Sequence, residues 1–197
     1  MRIFARELLT SAAMTVSLAV IVCGAYPVAV FALAQGVFPG KANASIVYHK
    51  GAAAGSRLLG QQFTSPGYFH PRPSAAGHGY DTSTSGGSNL GPTSRDLIDR
   101  VRERAQKYRE ENNLSGHALV PADAVTASAS GLDPHIGLQN AMLQAPRVAK
   151  ARGMDVDAVN DQIGECTEGR TFGILGEPRV NVLELNMSLD QKYNTGK

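Results

Sequence analysis

Hydrophobic and polar positions divide this chain into two regimes. From Leu8 to Gly40 no Asp, Glu, Lys or Arg occurs. A helix needs roughly 20 apolar residues to cross a bilayer core, and Leu9 to Leu33 supplies them. Everything after Lys41 is polar or mixed. The pattern predicts a single transmembrane helix over 8–34, a short cytoplasmic tail over 1–7, a linker over 35–55 and one soluble domain over 56–197. Ala32-Leu33-Ala34 could serve as a signal-peptidase site, but the apolar run is longer than a cleaved signal's roughly 7–15 residues, which favours a retained anchor. Pro27, inside the run, predicts a tolerated kink. Ser11, Thr15, Ala19 and Cys23 recur every fourth residue. Such a stripe of small side chains lets a second helix approach closely, which makes it a candidate packing face.

Beyond the anchor, Ile46-Val47-Tyr48 reads as a short strand in an Ala- and Gly-rich linker. Residues 64–93 are crowded with Gly, Pro, Ser and Tyr, which break regular elements. Tyr68, Phe69 and Tyr80 argue against disorder there. A helix follows, capped by Thr93 or Ser94, with Leu97, Ile98, Val101, Ala105 and Tyr108 on one face. Asp96 with Arg100, Arg95 with Asp99 and Glu103 with Lys107 are spaced to pair across its solvated side. Asp133-Pro134 predicts a second helix start, with Asp133 as cap, Gly153 as stop and Pro146 as an interruption. A third helix begins after Asp155, with Val156, Val159 and Ile163 on one face. Val180, Val182, Leu183, Leu185, Met187 and Leu189 read as a late strand whose alternation slips once, suggesting a bulge. The fold class is α+β: one amino-terminal transmembrane helix followed by a single mixed soluble domain.

Charge narrows the options. The net charge is +2 and no block of like basic residues occurs, which argues against nucleic acid. Arg2, Arg6 and the amino group oppose Glu7 before the anchor, and Lys41 and Lys50 follow it. The positive-inside rule tilts towards a cytoplasmic amino terminus and an extracytoplasmic domain. Cys23 lies in the apolar run and Cys166 in the soluble part, so neither a disulfide framework nor a metal-type cysteine spacing is present.

Complete catalytic motifs are missing. Gly40-Lys41 has the pair of a phosphate-binding loop, but Gln35 stands at the first Gly and Ala42 at the hydroxyl. Gly86-Gly87-Ser88-Asn89-Leu90 fails the nucleophile elbow at its last position. His49, His70, His78, His117 and His135 have no zinc-ligand spacing. Neither a catalytic nor a metal residue is assigned.

Several unusual segments occur in order: Gly55-Ser56-Arg57-Leu58-Leu59-Gly60-Gln61, Tyr68-Phe69-His70-Pro71-Arg72-Pro73-Ser74-Ala75 and Ser85-Gly86-Gly87-Ser88-Asn89-Leu90-Gly91-Pro92-Thr93. They are followed by Val120 to Ser128, Ser130 to Ile136, Arg147-Val148-Ala149, Thr167-Glu168-Gly169-Arg170 and Leu175 to Leu183. Behind one anchor, the series resembles the C subunit (KdpC) of the bacterial Kdp-type potassium-transporting ATPase. The pattern departs at Gly137-Leu138-Gln139-Asn140, where a Ser-Pro helix start is expected.

The resemblance implies an accessory, non-catalytic subunit of an inner-membrane, ATP-driven potassium importer. Its partners would be a channel-like A subunit, a P-type B subunit and a small F subunit. It would assist assembly and act as a catalytic chaperone raising the B subunit's affinity for ATP, with no stably bound cofactor of its own. Ser85, Gly86, Gly87 and Ser88 are similar to the Ser-Gly-Gly signature with which ABC ATPases touch nucleotide, since amides and hydroxyls of a Gly-rich loop suit phosphate oxygens. A tight turn is the alternative. Candidate partner or structural contacts are Tyr68, Phe69, Arg72, Asn89, Glu168, Arg170, Glu177 and Arg179. The competing readings are a tethered extracytoplasmic hydrolase using Ser88 and a tethered binding module.

Overall fold

The computed structural model describes residues 2–49 and 51–193. Met1, Lys50 and 194–197 lie outside the described residues, and with them one end of the expected tail, the Lys50 charge and the last residues of the expected domain. The chain divides into two units, Met1–Ser45 and Ile46–Lys197.

The first unit is dominated by a helical run from Arg2 to Val37 with none of its apolar window buried. It consists of α1 (Arg2–Ala19), a π turn (Val20–Ala25) and α2 (Tyr26–Val37). Proline lacks an N–H, and its ring clashes with the carbonyl four residues earlier. The wide turn immediately before Pro27 accommodates both defects. Ser11, Thr15 and Ala19 follow one row of α1, while Cys23 falls in the π turn, where the period changes. The run is about 54 Å long at the α-helical rise, more than a bilayer core of about 30 Å requires. One further turn, α3 (Pro39–Ala42), follows. Gln35 and Asn43 exchange side-chain amide bonds of 3.1 and 3.3 Å across it.

The second unit begins with a hairpin, β1 (Ile46–His49) against β2 (Ala52–Ser56), irregular between Val47 and Tyr48. The stretch read as a linker thus holds the end of α2, a turn and two strands. Irregular chain then runs to the extended Ser94, which starts α4 (Arg95–Glu111) without a side-chain cap. Leu97, Val101, Ala105 and Tyr108 turn inward, but Ile98 stays 45% exposed. On the outer face Asp99 pairs with Arg102 and Glu111 with Lys107 instead of the expected partners. A short α5 (Ala122–Val125) leads to β3 (His135–Gly137).

The helix expected from Asp133 starts later. α6 (Leu138–Arg152) is entered through an extended Gly137. The Asp133 carboxylate instead accepts the His135 backbone N–H at 3.0 Å, turning the chain into β3. A distant residue braces the entry to the helix: Asp123 accepts from Gly137 N at 2.8 Å and from the Asn140 side-chain amide at 3.0 Å. α6 runs through Pro146 unbroken and ends at Gly153 with φ 66°, the left-handed stop that glycine favours.

Next come α7 (Val156–Glu165), capped by Asp155, then β4 (Thr167–Glu168), β5 (Arg179–Asn181) and α8 (Val182–Tyr193). Val159 and Ile163 of α7 are fully buried, whereas Val156 is 37% exposed. The late strand is corrected: only Arg179–Asn181 is extended, and the slip in alternation marks the change from strand to helix. Asn181 caps α8, its side chain accepting Glu184 N at 3.2 Å. Asn181-x-x-Glu184 is a capping-box spacing that identifies this start in the sequence. The antiparallel sheet has the order β3-β5-β4. Ile136, Ala145, Val148, Val159, Ile163, Val180, Leu185 and Leu189 form the core with Phe69.

Phe69 comes from irregular chain, so its backbone lacks a ladder partner. Asn186, 1% exposed, supplies one: its Oδ1 accepts Phe69 N at 2.8 Å and its Nδ2 donates to Phe69 O at 3.0 Å. Gln144 does the same for His70, accepting at 2.7 Å and donating at 3.1 Å. A buried group left unpaired costs about 1–3 kcal/mol. Replacing Asn186→Ala strands two such groups and should destabilise the protein by about 3 kcal/mol, read as a lower unfolding midpoint in a detergent-solubilised thermal melt.

Candidate functional site

Two regions of the second unit gather the expected site residues. The first is the Gly-rich loop. Gly86 N and Ser85 Oγ both donate to Ser130 O, at 2.9 and 3.1 Å. A side chain on Gly87 would meet Ala129 O at 3.0 Å, and one on Gly131 would meet Gly86 O at 2.5 Å and Ala76 N at 2.7 Å. Gly131 also has φ +68°, so glycine is required there both by space and by conformation. The loop is therefore laid against the Ala129–Gly131 backbone. Ser74 Oγ ties the neighbouring strand of irregular chain, donating to Gly131 O at 2.6 Å and accepting Tyr80 N at 2.8 Å. Burial pushes the Tyr80 phenol up to about 12, against the opposing effect of Arg104.

Ser88 and Asn89 remain exposed. Ser88 lines a cavity with His78, Arg100, Arg104 and Thr126, and no carboxylate is among its lining residues. A hydrolytic triad needs a base oriented by a third group, so the cavity lacks one of the parts a hydrolase would use.

The second region is a row of charges crossing the sheet edge. Arg72 bonds Asp133 at 3.1 Å, and Asp133 bonds His135 Nδ1 at 3.2 Å. His135 Nε2 lies 3.7 Å from Glu168, which pairs with Arg179 at 2.9 Å. The register explains the last pair, since Glu168 and Arg179 are direct cross-strand partners. Burial alone would raise the Asp133 carboxyl. Hydrogen bonds from the His135 ring and backbone, with the Arg72 guanidinium, outweigh it and hold the group below its ordinary value. Arg170 and Glu177 form a separate exposed pair, one guanidinium nitrogen reaching both carboxylate oxygens at 2.8 and 2.9 Å.

Tyr68 belongs to neither group. Its hydroxyl donates to Asp190 at 3.0 Å, and its ring lies 4.9 Å beneath the Arg152 guanidinium, which itself bonds Asp190 at 2.9 Å. Burial and Asp190 push the phenol above its ordinary value. Phe69 is fully buried. Tyr68, Phe69, Arg72, Glu168, Arg170, Glu177 and Arg179 are thus all engaged within the chain. Sequence reading missed the residues that hold Tyr68, Phe69 and His70 in place: Asn186 on Phe69, Gln144 on His70, and Arg147, whose guanidinium bonds Tyr68 O at 2.9 Å and Asn112 Oδ1 at 3.0 Å. Arg147 lies in one of the quoted segments, but nothing local announces its bonds or those of Asn186 and Gln144, because their partners lie far away in sequence.

Among the described residues no cluster of three or more His, Cys, Asp or Glu side chains is arranged to hold a metal. The model of the family described as "KdpC: K+-transporting ATPase, c chain" matches residues 8–191. The chain belongs to the KdpC family. Curated relatives match most of the chain. A potassium-transporting ATPase KdpC subunit of Nitratidesulfovibrio vulgaris is 54% identical over 181 residues, 91% of each chain. That of Koribacter versatilis is 50% identical over 185 residues, 94% of each chain. That of Myxococcus xanthus is 55% identical over 169 residues, 85% of this chain and 80% of its own. Membership makes the chain an accessory subunit of a potassium-transporting ATPase rather than the catalytic one.

The depressed Asp133 gives this family member a pH signature. A carboxyl held below its unfolded value contributes stability above that value, 3.8, and loses it as pH falls through the folded value. Asp133→Asn should therefore lower the unfolding midpoint at pH 7. The gap to the unsubstituted protein should narrow as the pH is taken below 3.8, measured by thermal melts across the acid range.

Proposed function

We propose that the chain is the non-catalytic subunit of an ATP-driven, high-affinity potassium importer in the bacterial inner membrane. It assembles there with a channel-like A subunit, a P-type B subunit and a small F subunit. The observation that carries this reading is the family match over 8–191, joined to a helix that buries nothing of its apolar window within its own chain. A single exposed apolar helix is satisfied by lipid and by other membrane helices. Arg2 and Arg6 against Glu7 favour a cytoplasmic amino terminus, which puts the Ile46–Lys197 unit outside the cytoplasm.

In that orientation Ser85 to Ser88 cannot meet cytoplasmic ATP. The subunit then raises the B subunit's ATP affinity as a coupling free energy between distant sites, carried through the anchor and its neighbours. The internal bonding of Gly86 and Ser85 to Ser130 O fits a structural turn better than a nucleotide contact.

Deleting the gene in cells that depend on this importer should abolish growth at low potassium; normal growth would overturn the reading. In intact cells, Lys107→Cys, at an exposed position of α4, should react with a membrane-impermeant maleimide. Labelling only after lysis would reverse the orientation.

Ser88→Ala separates coupling from contact. In the purified complex it should leave the ATP concentration for half-maximal hydrolysis within about twofold, because the lost hydroxyl makes no transition-state bond. A rise of tenfold or more would restore direct nucleotide binding at this loop.

A further inference from the structure

The cavity beside Ser88 gathers positive charge and supplies no counter-ion. It encloses about 620 Å³ between α4, the Gly-rich loop and the Gly77–Gly79 turn, within the range of roughly 300–1,000 Å³ in which pockets hold small molecules. Arg100 and Arg104 come from successive turns of α4, and His78 lines the same space. Like charges four residues apart on a helix oppose one another. On the outer face of α4, Arg102 is neutralised by Asp99 at 2.8 Å. Arg100 has no carboxylate at ion-pair distance among the described residues. Burial and the neighbouring Arg100 hold the Arg104 guanidinium below its ordinary value, with Glu103 acting in the opposite sense; the group stays charged at neutral pH. One of its N–H groups goes to Val125 O at 3.0 Å, and it makes no other hydrogen bond among the described residues.

The loop adds neutral donors. Its first half is spent, since Gly86 N and Ser85 Oγ both go to Ser130 O. Its second half is not. Gly87 N, Ser88 N and Ser88 Oγ have no hydrogen-bond partner among the described residues. Thr126 Oγ1 gives its proton to Ala122 O at 2.6 Å, which leaves Ser88 as the hydroxyl able to donate.

Guanidinium groups, an imidazole, a hydroxyl and loop amides, with no carboxylate among them, make the donor set of an oxyanion site. The planar fork of arginine matches phosphate oxygens in pairs, and amides of a Gly-containing loop suit the same oxygens. Two fixed positive charges match a dianion better than they match chloride or a carboxylate. A nucleotide would also need a stacking face for its base, and neither Phe nor Tyr lines this cavity.

We infer that the cavity binds inorganic phosphate as its dianion, between Arg100 and Arg104 of α4 and Ser88 of the loop, with water filling the remaining volume. The inference goes beyond the chain's proposed place in a transport complex and does not depend on it.

The test uses the full chain alone in detergent, which keeps phosphate sites of other subunits out of the measurement. Calorimetric titration with inorganic phosphate, at mildly alkaline pH and an ionic strength held constant with sodium chloride, should show saturable binding. The unfolding midpoint should rise with phosphate as mass action requires. Arg100→Gln removes a side chain that holds no described partner, so its midpoint without phosphate should stay level or rise. Its phosphate affinity should fall at least tenfold, the order expected for a charge-assisted bond. Arg102→Gln, on the outer face, should leave the affinity unchanged. No binding beyond that of chloride, unchanged affinity in Arg100→Gln, or an equal loss in Arg102→Gln would overturn the site. Tighter binding of ATP or of a short-chain phosphatidic acid than of phosphate, lost in Arg100→Gln, would overturn the choice of ligand.

Discussion

The second unit is organised around a stretch of irregular backbone that has been drawn into its core. Phe69 is fully buried, yet the chain on either side forms neither helix nor strand. Buried backbone amides and carbonyls without partners are costly, so such a segment survives only if side chains replace the missing ladder. Asn186 on α8 and Gln144 on α6 do so, each bonding both the N–H and the C=O of one residue. Arg147 adds bonds to Pro66 O and Tyr68 O. Helices and loop are thereby made mutually dependent: the loop supplies an aromatic core residue, and the helices supply the loop's hydrogen bonds.

This arrangement explains why polar residues sit deep inside a small domain. Asn140, Gln144 and Asn186 are each 1% exposed. Buried amides are tolerated when fully bonded, and here Gln144 Nε2 reaches Asn140 Oδ1 at 2.9 Å while Tyr108 reaches the same oxygen at 2.9 Å. The network runs from α4 through α6 to the loop. The Arg72 end of the irregular segment then meets Asp133, linking the packed interior to the charge row at the sheet edge. Of the residues with the look of partner contacts, Tyr68, Phe69, Arg72, Glu168, Arg170, Glu177 and Arg179 are held by their own chain, while Asn89 stays exposed.

Much of the chain was legible in one dimension. The anchor was visible because a long uncharged run has few other physical explanations. α4 and α7 followed from helical periodicity, and Gly153 from its helix-ending role. The errors have a common cause. Asp133-Pro134 is a good local helix start, but the β3–β5 pairing claims the next three residues for the sheet. Val180 to Leu189 has no clear period, because α8 is buried on most sides and both apolar and amide residues face inward. The Asn181-Glu184 spacing was the local sign that should have outweighed the alternation.

The sequence by itself determined where the membrane helix lies, the absence of a complete catalytic motif, the mixed α+β class and the resemblance to one family. These depend on composition, local periodicity and short motifs, which need no knowledge of distant contacts. The tertiary structure alone decided that Asn186 and Gln144 clamp residues more than 70 positions away, and that Asp123 rather than Asp133 braces the entry to α6. It alone joined Arg72, Asp133, His135, Glu168 and Arg179 into one row. Each of these is a long-range pairing of polar groups. Any of several Asn, Gln, Asp or Arg residues satisfies such a requirement chemically, and only the packed fold selects which one is within reach.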